Sequence, residues 1–257
     1  MNAEQLQSTA ANLLAEQRAR RVYRKLEGSI EQAYAVQACF QRLACAAYGH
    51  GPLVGYKVAL TSQAMQTMVG VDEPLAGGVF ADRVLAAGGA ITLANHVHLG
   101  MEFEVAVRMT HTLHGAGDAH SAASIAASVA GYAPAYELVD DRHADYTQIN
   151  AFSVIAENSW NAGVILGEFV QMELLASAKT QLWIDGEIAG EGCAGDALGH
   201  PLEAVAWLAN HLNARGEALQ AGEFVMTGSS IRTTFPVSGQ NYRFVVAGLG
   251  AIEARFV

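Results

Sequence analysis

Cysteine is scarce in this chain: Cys39, Cys45 and Cys193 are the only three among 257 residues, and no two form a CxxC pair. An odd number without that spacing argues against a disulfide framework and against a zinc ribbon, so a reducing compartment is the simpler inference. Basic residues are few as well. Fifteen Lys and Arg against 25 Asp and Glu leave a formal net charge of −10, which works against nucleic acid and anionic membranes as partners. Long apolar runs are missing: none reaches the ~18 residues of a membrane span. The N-terminal "MNAEQLQSTAANLLAEQRARR" has acids and amides where a signal peptide needs a basic start and an apolar stretch. The expectation is a cytoplasmic protein. Against these absences, 51% of the residues are hydrophobic and only 16% are charged, enough apolar material for a sizeable core.

The first fifty residues contain no proline, and Leu6, Ala10, Leu13 and Leu14 recur at helical spacing. Two helices are expected, over 3–26 and 30–48, with the Arg18–Lys25 cluster read as a solvated helix side. From Gly55 onward the texture changes to short β-rich runs such as "GYKVAL", "EFEVAVRM", "AGVILG", "FVMTG" and "AIEARFV". Asp185-Gly186, between alternating residues, is a hairpin signal, because both central positions of a type I′ turn need positive φ. Helices are expected near 121–131 and across "HPLEAVAWLANHLNARG", where Pro201 suits a first turn and Gly216 a stop. The fold class is therefore α+β: a helical N-terminal segment, residues 1–52, feeding a β-rich domain, residues 53–257, with no linker between them.

The stretch "LGMEFEVAV" puts two glutamates inside an apolar run. On a strand the period of two places Glu102 and Glu104 on one face, with Cα atoms about 6.5 Å apart. Two like charges that close need something positive between them, and a hard divalent cation with oxygen ligands fits the need. A half-exposed edge strand is the bland alternative. "GYAPAYELVDDRHAD" offers a third carboxylate, Glu137, in another β-like run, and three such groups would make an open Mg²⁺ or Mn²⁺ site. His96, His98 and Glu102 also have the H-x-H-x3-E spacing of the cupin metal motif. That motif wants glycines where this chain has Ala90 and Met109.

"GYKVALTS", "EFEVAV", "PAYELVDDRHAD", "VIAEN", "GHPLEAVAWLANHL", "AGEFVMTG" and "GLGAIEARF" follow one another in an order that resembles the 2-keto-4-pentenoate hydratase and 4-oxalocrotonate decarboxylase branch of the fumarylacetoacetate hydrolase superfamily. The resemblance runs from Gly55 to Val257. It implies a fumarylacetoacetate hydrolase-like fold with a rolled mixed β-sheet, a Mg²⁺ or Mn²⁺ site, and action on short 2-oxo or 2-hydroxydienoic acids from meta-cleavage of aromatic compounds. The family's metal carboxylates fall on Glu102, Glu104 and Glu137, and its active-site lysine falls on Lys57. From the residues alone Lys57 is a snorkelling lysine; beside a metal and an anionic substrate it becomes the partner of a carboxylate or enolate oxygen.

Relatives read D-N-[AC]-S where this chain has Glu157-Asn158-Ser159-Trp160. An indole replaces a small hydroxyl of the substrate pocket, unless a one-residue register shift lets Ser159 keep that role. Glu157 is a candidate general base or the ion-pair partner of an arginine such as Arg142. Asp82 in "VFADR" is a candidate acid/base, and "MTGSS", with Thr227, either places hydroxyls or backbone N–H groups by the substrate carboxylate or is a turn closing a strand. The expected activity is that of a metal-dependent hydratase acting on a substrate such as 2-oxopent-4-enoate. A decarboxylase using the same site and a non-catalytic partner subunit are the alternatives. The branch also implies a homo-oligomer and complexes between hydratase and decarboxylase.

Overall fold

The computed structural model describes residues 1–115 and 117–257. Its N-terminal segment is a packed pair of helices, α1 (Ala3–Arg18) and α2 (Ile30–Tyr48), each opened by a capping box in which Asn2 or Ser29 accepts from the backbone three residues on. The first helix stops eight residues short of the expected end. Arg20 turns to φ 49°, and the chain that follows runs extended because Tyr23 N–H donates to Arg142 O and Leu26 N–H to the Ser153 hydroxyl. Tertiary hydrogen bonds there outweigh helix propensity. Leu13 and Leu14 of α1 and Val36 and Phe40 of α2 belong to the same buried cluster as the strands.

Among the described residues twelve strands form two mixed sheets. The larger has the order β2 (Leu75–Phe80), β1 (Leu53–Ala59), β10 (Phe224–Ser229), β5 (Leu99–Met109), β6 (Val129–Asp140), β7 (Asn161–Leu166) and β3 (Val84–Leu85). Pairs β1–β10 and β3–β7 are parallel and the other neighbours antiparallel. The smaller sheet runs β4 (Ala90–Ile91), β12 (Gly250–Phe256), β11 (Asn241–Val246), β8 (Lys179–Ile184) and β9 (Glu187–Cys193). Phe103 and Tyr136 of the larger sheet meet Phe244 of the smaller, and the buried Tyr136 hydroxyl donates to Ile252 O. The β8–β9 hairpin turns at Asp185 (φ 50°) and Gly186 (φ 87°), as its sequence requires.

Four further helices among the described residues connect the strands: α3 (Gln63–Val69), α4 (Ala122–Ile125), α5 (Ala151–Ala156) and α6 (Pro201–Ala214). Proline opens α6, and the expected helix near 121–131 shrinks to one turn because β6 already starts at Val129. No helix among the described residues is long and apolar enough to cross a membrane.

Candidate active site

The neighbouring strands β5 and β6 supply the acidic cluster. Glu102 and Glu104 share a face of β5, and the antiparallel register sets Glu137 of β6 directly opposite Glu102. One ligand atom from each of the three lies within 4.8 Å of the others. Among the described residues this is the only group of His, Cys, Asp or Glu so arranged. His96 and His98 do not join it; they lie against Asp140 and Asp141 instead.

Each carboxylate has an oxygen held by the protein. Glu104 Oε2 accepts from the Gly228 N–H at 2.7 Å, and Glu102 Oε1 from the Thr233 hydroxyl at 3.1 Å. Glu137 Oε1 accepts from Asn161 Nδ2 at 2.9 Å and faces Lys57 Nζ at 3.1 Å. The second oxygens of Glu104 and Glu137 are buried and have no partner. Burying a carboxylate oxygen unpaired is costly, so two such atoms beside a third carboxylate form a donor set matched to a hard divalent cation. Glycine is required at 228: β10 bulges between Met226 and Ser229, φ is +101°, and a Cβ would meet the Thr61 side chain at 2.5 Å.

Lys57 sits on β1, separated from β6 by β10 and β5, yet its buried ammonium reaches Glu137 and donates to Ser159 O at 3.3 Å. Burial pushes its pKa down, but Glu137, Glu102 and Glu104 outweigh that and hold it above the usual lysine range. Burial, then Glu137 and Glu102, push Glu104 well above the usual carboxylate range. Glu137 is pushed up to about 7, its burial outweighing the opposing pull of Lys57. The cation therefore stays charged at neutral pH while the acids resist ionising together.

A cleft of about 640 Å³ opens over this cluster, lined by Lys57, Glu102, Ser159 and Trp160 among others. Asn158, Ser159 and Trp160 all have positive φ, at 57°, 52° and 58°. Three consecutive non-glycine residues in that region are costly and need bracing. Asn158 supplies it, exchanging hydrogen bonds with both the N–H and the O of Gly78 and accepting from Gln41 Nε2. The turn presents the Ser159 carbonyl to Lys57, the Trp160 ring to the cleft and the Asn161 amide to Glu137. Trp160 packs edge-on against Tyr23 and Tyr146, with ring centroids 5.6 and 6.1 Å away. The Ser159 hydroxyl is turned to Ala76 O.

Of the expected site residues, Glu104 and Glu137 lie buried in the acidic cluster and not on the cleft wall, and Asp82, Thr227 and Glu157 do not line the cleft either. Asp82 lies half-exposed on a 3₁₀ turn (Ala81–Arg83), hydrogen-bonded to His50 and the Gly51 N–H. The buried Thr227 hydroxyl donates to Val105 O at 2.7 Å, the strand-closing role. Glu157 is buried in an ion pair with Arg142, and burial pushes it up to about 7 against that pairing. Sequence reasoning passed over Asn161 and Thr233. Gly228 was within the "MTGSS" motif, where the serviceable group is a backbone N–H and not the threonine hydroxyl.

Residues 56–257 match the model of the fumarylacetoacetate hydrolase C-terminal family, and the chain belongs to that family. Hydratases and decarboxylases are among its relatives. A 2-keto-4-pentenoate hydratase of Paraburkholderia phymatum is 33% identical, covering 98% of this chain and 97% of its own. A 4-oxalocrotonate decarboxylase of Pseudomonas putida is 34% identical over 80% of this chain and 78% of its own. Among solved structures, 4-oxalocrotonate decarboxylase from Pseudomonas putida G7, complexed with magnesium and adipate, superposes with a TM-score of 0.93 at 29% identity, covering 100% of this chain and 99% of that one.

Proposed function

We propose that the protein is a metal-dependent hydro-lyase that adds water to a short 2-hydroxydienoate or 2-oxoenoate, such as 2-oxopent-4-enoate, in the breakdown of aromatic compounds. One observation carries the reading: the unpartnered, buried oxygens of Glu104 and Glu137 stand beside Glu102, which lines a cleft. A non-catalytic subunit has no need of such a cluster, since three mutually repelling acids, two of them buried, only destabilise it. The hydratase relative, matched along nearly its whole length, supports the same class.

Glu102, Glu104 and Glu137 would hold Mg²⁺ or Mn²⁺, both hard cations suited to oxygen ligands; the magnesium of the decarboxylase neighbour favours the first. Once bound, the cation supplies Lewis-acid charge to the carboxylate and 2-oxygen of a 2-oxo acid. Lys57 acts from the side. Its ammonium is held charged by its carboxylate neighbours, so it stabilises negative charge gathering on the substrate oxygen and serves as a proton donor rather than as a base. Trp160 walls the cleft and restricts what fits beside that group, and the Ser159 carbonyl fixes the direction of the ammonium. Asp82, Glu157 and Thr227 have no part in this scheme.

A decarboxylase reaction on the same site is the second reading, favoured by the superposition on the decarboxylase structure. Incubating the Mg²⁺- or Mn²⁺-loaded protein with 2-hydroxypenta-2,4-dienoate and with 2-oxohex-3-enedioate separates the two. Loss of ultraviolet absorbance without carbon dioxide release supports the hydratase; carbon dioxide from the diacid supports the decarboxylase. Inertness toward both, with either metal, would refute the proposal. We further propose a cytoplasmic homo-oligomer able to pair with a decarboxylase or hydratase partner; size-exclusion chromatography with light scattering tests the assembly.

A further inference from the structure

The antiparallel register lets one face of the β5–β6 ribbon be followed row by row. Glu104 lies opposite Ala135, Glu102 opposite Glu137, and Gly100 opposite Val139. The next residues on that face are His98 and Asp141, which flank the final pair, Leu99 and Asp140. Their side chains meet, His98 Nδ1 lying 2.7 Å from Asp141 Oδ1. Two steps of the strand repeat separate this row from Glu102 and Glu137, about 13 Å between Cα atoms. The cleft follows the face in that direction: Gly100, Glu102, Val139 and Asp141 line it, whereas Glu104 and Ala135 do not. A 2-oxo acid held at the Glu102 row therefore finds open space for its distal carbons on the Asp141 side, and at the intervening row Gly100 adds no side chain.

Water addition needs a group to take the water's proton, and Lys57 already serves as the proton donor. Among the described residues the cleft walls carry three carboxylates, Glu102, Asp141 and Asp196. Glu102 belongs to the acidic cluster, and Asp196 is exposed and accepts from the Cys193 N–H. Asp141 is buried and firmly held. Its Oδ1 takes the His98 ring nitrogen and, at 2.9 Å, the His143 N–H; its Oδ2 takes the Tyr146 hydroxyl at 3.0 Å. A carboxylate oxygen has two lone pairs, so Oδ2 keeps one for a further donor. His98 is itself clamped between the His143 and Phe235 rings, each with its centroid 4.3 Å away. The adjacent Arg142 is committed to Glu157 and the Arg21 carbonyl. Burial, Asp141 and Glu102 push the Tyr146 hydroxyl above its usual range, so it stays a donor to Asp141.

We propose that Asp141 is the general base of the hydration, taking a proton from the water that attacks the distal carbon of the conjugated enone, with Tyr146 and His98 positioning its carboxylate. The assignment rests on the hydro-lyase reading. As the water oxygen bonds to that carbon, the π pair of the C=C bond shifts toward the 2-oxygen and one water proton passes to Asp141 Oδ2. The resulting enolate takes a proton at C3 from Lys57, and the lysine regains one from Asp141 through solvent. One water is added, and both side chains end as they began.

The test is steady-state hydration of 2-hydroxypenta-2,4-dienoate by the Mg²⁺-loaded protein, with calorimetric Mg²⁺ titration and melting curves for each variant. Asp141→Asn is expected to lower kcat by about 10²–10⁴, the scale of losing a general base, while KM and Mg²⁺ affinity stay within a few-fold. Asp141→Ala should recover activity in proportion to added formate, because a small carboxylate fills the vacated place and accepts the proton; Lys57→Met should not respond. Tyr146→Phe keeps the ring and should lower kcat by about tenfold, the size of one charge-assisted hydrogen bond, and it decides the case if neither Asp141 variant folds. A kcat for Asp141→Asn within about threefold of wild type, Asp141→Ala activity indifferent to formate, or an unaltered kcat for Tyr146→Phe overturns the assignment and leaves the hydro-lyase reading standing. A wild type that hydrates nothing overturns that reading, and this assignment with it.

Discussion

Replacing Glu104 by Gln should make the metal-free protein more tolerant of alkaline pH and abolish its response to metal. Ligand atoms of the three carboxylates lie within 4.8 Å of one another. At that distance two full charges repel by ~3.5 kcal/mol for an effective dielectric of 20. The metal-free protein avoids most of this by keeping protons: burial and the neighbouring acids push Glu104 well above the usual range and Glu137 to about 7. A carboxyl group with a raised folded-state pKa contributes stability that is fully present below its unfolded value, ~4.5, and is lost as pH rises through the folded value. Wild-type melting temperature without metal should therefore fall between pH 5 and 9 more steeply than that of Glu104→Gln, whose amide oxygen can still accept from the Gly228 N–H. Metal reverses the ranking. Mg²⁺ at about a hundred times its Kd contributes ~2.7 kcal/mol, and in a chain of this size each kcal/mol moves Tm by about 2–4 °C. The wild type should gain roughly 5–10 °C at pH 8 on this arithmetic, less at pH 6 where protons compete for the ligands, and the variant almost nothing. Scanning calorimetry from pH 5 to 9 with and without Mg²⁺ reads all three. A variant that keeps the metal shift, or that is the less stable protein at pH 9 without metal, would refute the reasoning.

Lys57→Met should lower kcat by about 10²–10³, the scale for losing one charge-stabilising donor, while leaving Mg²⁺ binding measurable by calorimetry. Asn161→Ala removes the amide that holds Glu137 Oε1 and should weaken Mg²⁺ binding by about 10-fold or more, as loss of a hydrogen bond behind a metal ligand generally does. Trp160 lines both the cleft and a second cavity of about 320 Å³. Trp160→Ser should join the two and raise kcat/KM for longer-chain 2-hydroxydienoates relative to short ones, at about 3–5 kcal/mol in stability by urea unfolding. His211 is held neutral, its pKa pushed down to about 4 by burial and by Arg215. A depressed folded-state value means stability present above the unfolded value of ~6.5 and lost as pH falls toward 4, so wild-type Tm should drop across that window and that of His211→Leu should drop less.

The same backbone rules explain what the sequence disclosed and what it hid. Glu102 and Glu104 were legible because a strand's period of two is a local property, and their common face follows from spacing alone. Glu137 could be named as a third acid, but only the β5–β6 register puts it opposite Glu102, and register is a property of two segments read together. The groups that hold those carboxylates are more remote still. Thr233 reaches Glu102 from 131 positions away and Gly228 reaches Glu104 from 124, through a bulge in β10 that no local pattern marks. Asn161 is 24 residues from Glu137 and is delivered by a left-handed turn that β-propensity disfavours, one that persists because Asn158 bonds to Gly78, 80 residues earlier. Asp82 and Thr227 were chosen for their reactive atoms; in the fold a histidine and a strand carbonyl had already claimed those atoms. Chemistry-bearing residues can thus be nominated from local spacing, but whether an oxygen is left free for a ligand depends on its long-range partners. In this protein the free oxygens of Glu104 and Glu137 turn a pattern of acids into a candidate site.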